Sequence, residues 1–387
     1  GSGIFISPSS VLEKSGSVGL CLIIWAVCGA ISYLGALCFA ELGAVVGQSG
    51  GEYSYFQEAF APLHAFFGPL IGFTYVWTSL FAIRPAEVTI LALTFAEYTC
   101  VPIADAIGIH LSGQHNDLLK RIVALLAIGL ITTINLTSVK LFMSVQNVCS
   151  TLKTLACLVV IAGGIYSFSI GEHHDLLTGF SGTKTSVKDL VLALYSGLWA
   201  FDGWTSSASV VEEIKSPEVN LPRSISLGVP LVTLLFFLMN VAYMTVLNLE
   251  EIVSAQAVAI MFSERLFGSF SFFVPLAVAL STFGCSLSVQ FGVSRLCFVA
   301  SRHGHMFKSF SYVHIRKYTP APSVFFQGFL SACFVMSGNV VQLIEFVSFL
   351  VWIYYGLAMV SLLVLRKTQP DKKRPYKVRN LLYTLHF

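Results

Sequence analysis

Two ionisable side chains lie in apolar stretches of the chain, where they could act on a charged ligand. Asp202 sits in an aromatic segment, and Lys153 lies near the middle of a long apolar run. An ionisable group at membrane depth is costly and persists mostly for pairing or function. Asp202 therefore predicts a contact with a lysine-like or arginine-like ligand side chain, although a helix-capping carboxylate is an alternative. Lys153 predicts an ammonium that holds freed carbonyls as a sodium ion would, and a lysine reaching the membrane interface is its alternative.

The first residues of the chain predict an interrupted helix. Ser2 and Gly3 precede Ile4 and an apolar stretch, so their N–H groups would lie at the N-terminus of a half-helix. Such a terminus attracts a carboxylate through its free donors and the helix dipole. Glycine also lets a ligand approach the backbone without a Cβ in the way. We expect Ser2, Gly3 and Ile4 to bind the carboxylate of a ligand.

A second interruption is predicted inside the segment GLWAFDGW. The carbonyls of Trp199, Ala200 and Phe201 would be freed before Asp202 and Gly203, at the C-terminus of a half-helix that suits an ammonium group. The two breaks together match a zwitterionic α-amino acid. Such breaks are tolerated in a membrane only where they are buried in protein or line a wet cavity. The alternative is that the glycines only allow close helix packing.

Other charged residues are assigned to gating or to structure. Glu41 ends the second apolar span, and Glu212 and Glu213 follow the second break. With Trp199 as an aromatic gate, these acidic residues are the predicted gating set; a helix cap is the alternative for Glu41. The charged residues of the third span are expected to form internal ion pairs: Arg84, Glu87 and Glu97.

The composition indicates a polytopic membrane protein. The chain has 387 residues, of which 55% are hydrophobic and only 11% charged, with a mean hydropathy of +0.77. Soluble domains are about one quarter charged. A net charge of +3 carries no nucleic-acid signature. The sequence shows no Ser/His/Asp, HExxH or CxxC arrangement, so we predict no enzyme, cofactor or metal site. Eight of the nine cysteines lie in apolar runs as packing residues, and only Cys100 lies near a loop.

The apolar runs predict an all-α protein with ten membrane segments, the first of them truncated. They are Ser2 to Leu12, Val18 to Val46, Pro69 to Tyr98, Ile122 to Leu141, Met143 to Ile170, Leu190 to Val211, Leu227 to Leu247, Phe270 to Ala300, Ser323 to Met336 and Val340 to Leu365. The breaks fall in the first and sixth segments, which predicts a 5+5 inverted repeat. We expect one domain over 1–378, with repeats 1–170 and 188–366, and a divergent tail over 379–387.

Basic residues orient the segments. Clusters of Lys and Arg follow the eighth and tenth segments, and cytoplasmic loops are enriched in these residues. Both clusters fall on one side if the segments alternate, so that side is predicted to be cytoplasmic. The clusters are Arg302, Lys308, Arg316 and Lys317, and Arg366, Lys367, Lys372, Lys373, Arg374, Lys377 and Arg379.

Several motifs together resemble the L-type amino-acid transporter family. These proteins are light subunits of heteromeric amino-acid transporters in the amino acid–polyamine–organocation (APC) superfamily, with the LeuT-type fold. Trp199 with Asp202 makes the chain most similar to the broad-scope exchangers of cystine, dibasic and neutral amino acids. The motifs are GSGIF, IIWAVCGA, GALCFAELG, SGGEY, IRP, GLWAFDGW, VEEI with PEVNLP, SRHGH and TPAPS.

The resemblance implies roles for particular residues. Ser2 and Gly3 would bind the substrate carboxylate, Trp199 would close over the substrate, and the backbone at Trp199 to Asp202 would take its amine. Lys153 would occupy the sodium site, which implies sodium-independent obligatory exchange. The side-chain pocket would draw on Ser286 and Val351.

The resemblance also implies a plasma-membrane location and a single-span glycoprotein heavy chain as partner. Cys100 is the one candidate for a disulfide to that chain, although it lies earlier than the family's cysteine. The family's light chains extend further at both ends, so the chain is expected to be truncated at both ends. Two alternatives to an exchanger remain: a proton-coupled amino-acid uptake carrier with Asp202 or Glu41 taking the proton, and a non-transporting amino-acid sensor or assembly subunit.

Overall fold

The computed structural model of the chain describes residues 2–48, 50–107, 114–171, 175–205, 214–255, 257–268, 271–336 and 339–378. Helices dominate these ranges, which contain no strand. A 3₁₀ turn over Ser2–Phe5 comes first, and a π-helical turn over Ser79–Ile83 joins α4 to α5. The α-helices are α1 Pro8–Ser15, α2 Val18–Val46, α3 Glu52–Phe60, α4 Phe67–Thr78, α5 Arg84–Ile107, α6 Gln114–Thr137, α7 Val139–Ser169, α8 Val187–Phe201, α9 Pro217–Val246, α10 Leu249–Ser254, α11 Val258–Phe267, α12 Phe273–Arg302, α13 Ala321–Val335 and α14 Val340–Thr368.

The predicted all-α membrane architecture is confirmed. Six helices in the described ranges are long and apolar enough to cross a membrane: α2, α4 with α5, α7, α9, α12 and α14. The other four predicted segments correspond to α1, α6, α8 and α13. Of these, α8 is short because it stops at the second break. The division into repeats 1–170 and 188–366 stays a prediction, and the tail 379–387 lies outside the described residues.

Two features of the fold differ from the sequence prediction. The fourth and fifth segments separate at Ser138, not near Phe142, because the Ser138 backbone is extended and its hydroxyl accepts the Lys140 N–H at 3.2 Å. A short helix, α3, also lies between α2 and α4. Its apolar residues Tyr53, Tyr55 and Phe56 are fully buried. Periodicity missed α3 because nine residues are too few to show a span.

Small residues bring the long helices close together. A Cβ at Gly29 of α2 would overlap Thr233 of α9, and a Cβ at Gly164 of α7 would overlap Ala242 of the same helix α9. Helices in membranes associate through such small-residue contacts. Thus α9 is held between α2 and α7. The helix α12 packs against both α5 and α7, and the 3₁₀ turn at the start of the chain lies against α8 and α12.

Candidate functional site

The first predicted break is a 3₁₀ turn buried in the protein. Ser2 is 2% exposed and Ile4 is fully buried. The first N–H groups of such a turn have no partner inside it, which leaves those of Ser2 and Gly3 as donors. The carbonyl of Gly3 accepts the Ile6 N–H at 2.9 Å and the Ser7 N–H at 2.8 Å, so the chain turns directly into α1. Binding of a ligand by these N–H groups stays a prediction.

The second break follows the end of α8 at Phe201. Asp202 has an extended backbone, and Gly203 has a φ of 117°, a left-handed value that favours glycine. The carbonyls of Ala200 and Phe201 belong to the last turn of α8, whose carbonyls have no partner further along the helix. One part of the prediction is wrong. The carbonyl of Trp199 is not free, because it accepts the Asp202 N–H at 3.1 Å.

The two breaks lie against each other. A Cβ at Gly3 would overlap the backbone Cα of Ala200, so only glycine fits at this contact. Trp199 and Phe201 are buried on either side of Ala200, at 7% and 5% exposure. The junction of the two breaks, which comprises Ser2, Gly3 and Trp199 to Gly203, therefore combines one half-helix N-terminus with one half-helix C-terminus.

Lys153 contacts the junction through a cysteine. Its Nζ lies 3.2 Å from the Sγ of Cys285 on α12, and the Ser2 side chain also hydrogen-bonds that thiol. The predicted direct contact of Lys153 with carbonyls of the first break stays a prediction, and two of these carbonyls are held by other donors. The hydroxyl of Ser7 donates to the Gly3 carbonyl at 2.9 Å, and that of Tyr98 donates to the Phe5 carbonyl at 2.8 Å. Cys285 thus has a polar role that an apolar setting did not predict.

Asp202 caps the break after α8 and also contacts α14. Its Oδ1 accepts the Gly203 N–H at 2.8 Å and the Tyr355 hydroxyl at 2.6 Å. Its Oδ2 receives no hydrogen bond from the described residues, and the side chain is half-buried. Tyr355, on α14, was missed by sequence reasoning because an aromatic residue in an apolar span has no distinguishing signal.

The two predicted pocket residues are in different settings. Val351 is buried at 6% exposure and lines a small cavity with Tyr354 and Tyr355. Ser286 is fully buried, and its hydroxyl faces α5, where it donates to the Val88 carbonyl at 3.4 Å. Ser286 therefore joins α12 to α5. The neighbouring Cys285 faces the junction instead.

The predicted ion pairs of the third span are partly confirmed. Arg84 donates to Glu87 at 2.8 Å, one helical turn further along. Glu97 pairs instead with Lys120 of α6 at 2.6 Å. Glu52, at the start of α3, accepts the Tyr75 hydroxyl at 2.9 Å and lies within electrostatic reach of Arg84. This last residue was missed, because two glycines precede it and the segment was treated as a loop.

Glu41 is the centre of a separate cluster at the end of α2. It is fully buried and pairs with Arg366 of α14, whose Nε lies 2.9 Å from its Oε1. Its Oε2 accepts the Val378 N–H at 2.8 Å, and the Arg374 Nε lies 3.8 Å from its Oε1. The gating role of Glu41 stays a prediction. The other predicted gating residues, Glu212 and Glu213, lie outside the described residues.

The cysteines differ from their predicted settings. Cys100 lies within α5 and is buried at 6% exposure, so it is not at a loop. Cys333 on α13 is exposed, whereas it was predicted to pack in the interior. All nine thiols are free in the structure.

Comparison with known proteins assigns the family. The model of the amino acid permease family matches residues 1–387. The b(0,+)-type amino acid transporter 1 of Mus musculus is 42% identical over 378 residues, which span 98% of this chain and 75% of the relative. The human cystine/glutamate transporter is 39% identical over 378 residues, 98% of this chain and 73% of the relative. The Asc-type amino acid transporter 1 of Mus musculus is 38% identical over 392 residues, 99% of this chain and 70% of the relative.

These matches confirm the class that the sequence motifs predicted. The family model covers the junction, Lys153 and every helix named above. The relatives are transporters and not enzymes. The chain belongs to the amino acid permease family and is a multi-pass membrane transporter of amino acids.

Proposed function

We propose that this chain exchanges amino acids across the membrane by alternating access, without sodium, taking cationic amino acids and cystine in one direction and neutral amino acids in the other. The observation that carries the proposal is the junction of the two breaks. A half-helix N-terminus and a half-helix C-terminus meet there beside an aspartate, and Gly3 packs directly on Ala200.

The junction suits the invariant part of an amino acid. N–H groups of Ser2 and Gly3 are available to the α-carboxylate, which the dipole of the following half-helix also favours. Carbonyls of Ala200 and Phe201 are available to the α-ammonium group. Any α-amino acid carries both groups, so this contact gives binding energy without selecting a side chain.

Asp202 supplies the selectivity for cationic side chains. Its Oδ1 is held by Tyr355 and Gly203, whereas Oδ2 remains for a ligand ammonium or guanidinium. Charge-assisted hydrogen bonds are roughly twice as strong as neutral ones. Val351 gives the same region an apolar surface that accepts neutral side chains. The names of the relatives, which include a cystine/glutamate transporter, place cystine among the expected substrates.

Lys153 supplies a fixed positive charge beside the first break. Its ammonium contacts Cys285, which is in turn bonded to Ser2, so the charge supports the substrate-binding turn through one intermediate side chain. A protein cation at this position does the work of a sodium ion. Transport is then independent of sodium and requires a substrate in each direction.

The proposed setting is the plasma membrane, with a single-span glycoprotein heavy chain as partner. The association does not depend on Cys100, because its thiol is buried within α5. Non-covalent contacts with the heavy chain are therefore expected. Denaturing electrophoresis without reductant would separate the two chains if this is correct, and a Cys100-dependent heterodimer band would contradict it.

The experiment that tests the function is counterflow in proteoliposomes. Vesicles are loaded with arginine, leucine or nothing, and uptake of labelled arginine and cystine is followed with and without sodium. We expect uptake only into loaded vesicles and no effect of sodium. Uptake into empty vesicles that follows a pH gradient would favour a proton-coupled carrier. Measurable binding without uptake under any loading would favour a sensor or assembly subunit.

A further inference from the structure

A small cavity with a mixed polar and apolar lining lies beside the proposed substrate site, between α3, the π-helical turn and α14. It has a volume of about 10 Å³, roughly what one water molecule requires. Two of its lining atoms have no hydrogen-bond partner, Oε1 of Glu52 and Oγ of Ser79. Both side chains are more than nine-tenths buried, Glu52 at 5% exposure and Ser79 at 1%. A buried carboxylate oxygen without a hydrogen-bond partner destabilises the folded protein, unless the carboxyl group is protonated or a partner is bound.

The charges around the cavity do not balance. Among the described residues, the network holds three carboxylates, those of Glu52, Glu87 and Asp202, and one guanidinium, that of Arg84. Arg84 bonds directly to Glu87 at 2.8 Å. Asp202 accepts two hydrogen bonds and faces the proposed substrate. The hydrogen bonds that reach Glu52 come from neutral donors, the Tyr75 hydroxyl and its own backbone N–H, so among the described residues no charged donor bonds to this buried carboxylate.

Ionisable side chains from α3, α4, α5 and α14, and from the break after α8, face Glu52. The titratable and charged side chains within electrostatic reach are Tyr55 on α3, Tyr75 on α4, Arg84 and Glu87 on α5, Asp202 after α8 and Tyr355 on α14. The three tyrosines are neutral, and the one cation is already committed to Glu87. The Ser79 hydroxyl lies beside the Tyr75 phenol without satisfying Glu52.

We propose that Glu52 is a proton-binding site, and that its carboxyl group holds a proton while α3 packs against the π-helical turn and α14. The bound proton removes one buried negative charge and turns Oε1 into a donor on the same cavity as the Ser79 oxygen. Tyr75 continues to donate to Oε2. The only chemical step is the binding of one proton from solution by the Glu52 carboxylate.

The site makes exchange sensitive to pH. If the packed arrangement of α3 occurs in every transport cycle, a deprotonated Glu52 makes that arrangement less stable and slows exchange. Linkage then requires exchange to fall as pH rises. This consequence rests on the proposed exchange function, whereas protonation of Glu52 does not.

The transport test uses leucine–leucine exchange, because it moves no net charge and does not load Asp202. Rates are measured in proteoliposomes from about pH 6 to about pH 9, a range across which surface carboxylates stay ionised. We expect the wild-type rate to fall by several-fold, up to about tenfold per pH unit. Glu52→Gln, which is neutral at every pH, should give a flat profile. The matched control is Glu58→Gln on the same helix, which should keep the wild-type slope.

The second measurement does not need transport. Infrared difference spectroscopy of the purified protein detects the carbonyl stretch of a protonated carboxylic acid. We expect such a band in the wild type near neutral pH, its loss at high pH, a frequency shift in Glu52→Asp and its absence in Glu52→Gln. Absence of exchange with this band present would reject the proposed function and keep the proton site.

Two results would overturn the proton site. One is an unchanged infrared band in Glu52→Gln. The other is a pH profile of Glu52→Gln that matches the wild type, with exchange intact. A sodium ion at the cavity would instead make the rate depend on sodium and not on pH, and that outcome would also reject the proposal.

Discussion

Two carboxylates, those of Glu41 and Asp202, are surrounded very differently. Glu41 is fully buried and receives bonds from Arg366 and from the Val378 N–H, with Arg374 nearby. Both of its oxygens are in use. Asp202 is half-buried, and its bonds from Tyr355 and Gly203 reach the same oxygen.

The difference separates a structural charge from a binding charge. A buried carboxylate whose oxygens are all occupied by fixed donors joins parts of the protein, and removing it leaves its partners unpaired. A carboxylate with one oxygen held and one available is oriented for a ligand. The Glu41 cluster thus ties α2 to α14 and to the chain that follows it, whereas the junction with Asp202 is built to accept something from outside.

The largest expected effect comes from disturbing the contact between the two breaks. Gly3→Ala places a methyl group into the Ala200 backbone, so the two breaks must move apart. Because small displacements at a binding site can cost about a hundredfold in rate, we expect exchange of every substrate to fall by about that factor or more. Counterflow with arginine and with leucine measures the loss.

The control for this variant is Gly129→Ala on α6. No atom lies within 4 Å of the Cβ that it would add. It should fold and exchange as the wild type does. Exchange that survives in Gly3→Ala at near wild-type rates would show that the contact between the breaks is not needed for binding.

The next largest effect concerns stability. Glu41→Gln leaves Arg366 and Arg374 without their buried counter-charge, and breaking such a pair costs about 3–5 kcal/mol. We expect a marked loss of thermal stability in detergent, followed by tryptophan fluorescence. Any loss of exchange should affect arginine and leucine in equal proportion. If Glu41→Gln stays stable but loses arginine transport alone, Glu41 binds the ligand and is not a structural charge.

A smaller and selective effect is expected at the junction. Asp202→Asn keeps an acceptor for Tyr355 but removes the charge that faces the ligand. A hydrogen bond to a charged group contributes about 1.5–3 kcal/mol, so kcat/KM for arginine should fall roughly tenfold or more. The value for leucine should stay within about twofold. Equal losses for both amino acids would mean that Asp202 does not match the side-chain charge.

Much of this arrangement could be predicted from the sequence. Apolar runs of membrane length and glycines inside apolar stretches identify the spans and both breaks. The orientation that the basic residues after α12 and α14 indicate stays a prediction. Those signals are local. Gly3 beside Ser2 and Gly203 beside Asp202 can be recognised as helix breaks from the sequence, because the surrounding residues are apolar.

The partners across helices could not be predicted in the same way. Cys285 meets Lys153, and Tyr355 meets Asp202, from helices more than a hundred residues away in the chain. Glu97 pairs with Lys120 and not with Arg84 because of how α5 packs on α6. Such pairs depend on helix rotation and depth, which hydrophobic patterns leave open.

The smallest effect on stability is expected at a partly exposed carboxylate, that of Glu58. Glu58 of α3 pairs with Lys372 at 2.8 Å, close to the Glu41 cluster, but about one third of each side chain is exposed.

The hydrogen bond from Lys372, and next that from Gln369, lowers the pKa of Glu58 below its ordinary value of 4.5. A lowered folded-state pKa gives stability that is present above the ordinary value and lost as pH falls through the folded value. The pair is therefore intact at neutral pH and weakens only in acid. Because exposed pairs contribute about 0–1 kcal/mol, Glu58→Gln should change thermal stability near pH 7 far less than Glu41→Gln, and the small difference from wild type should shrink in acid. A loss near pH 7 as large as that of Glu41→Gln would mean that the chain after α14 is held by both carboxylates together, and that burial does not separate their roles.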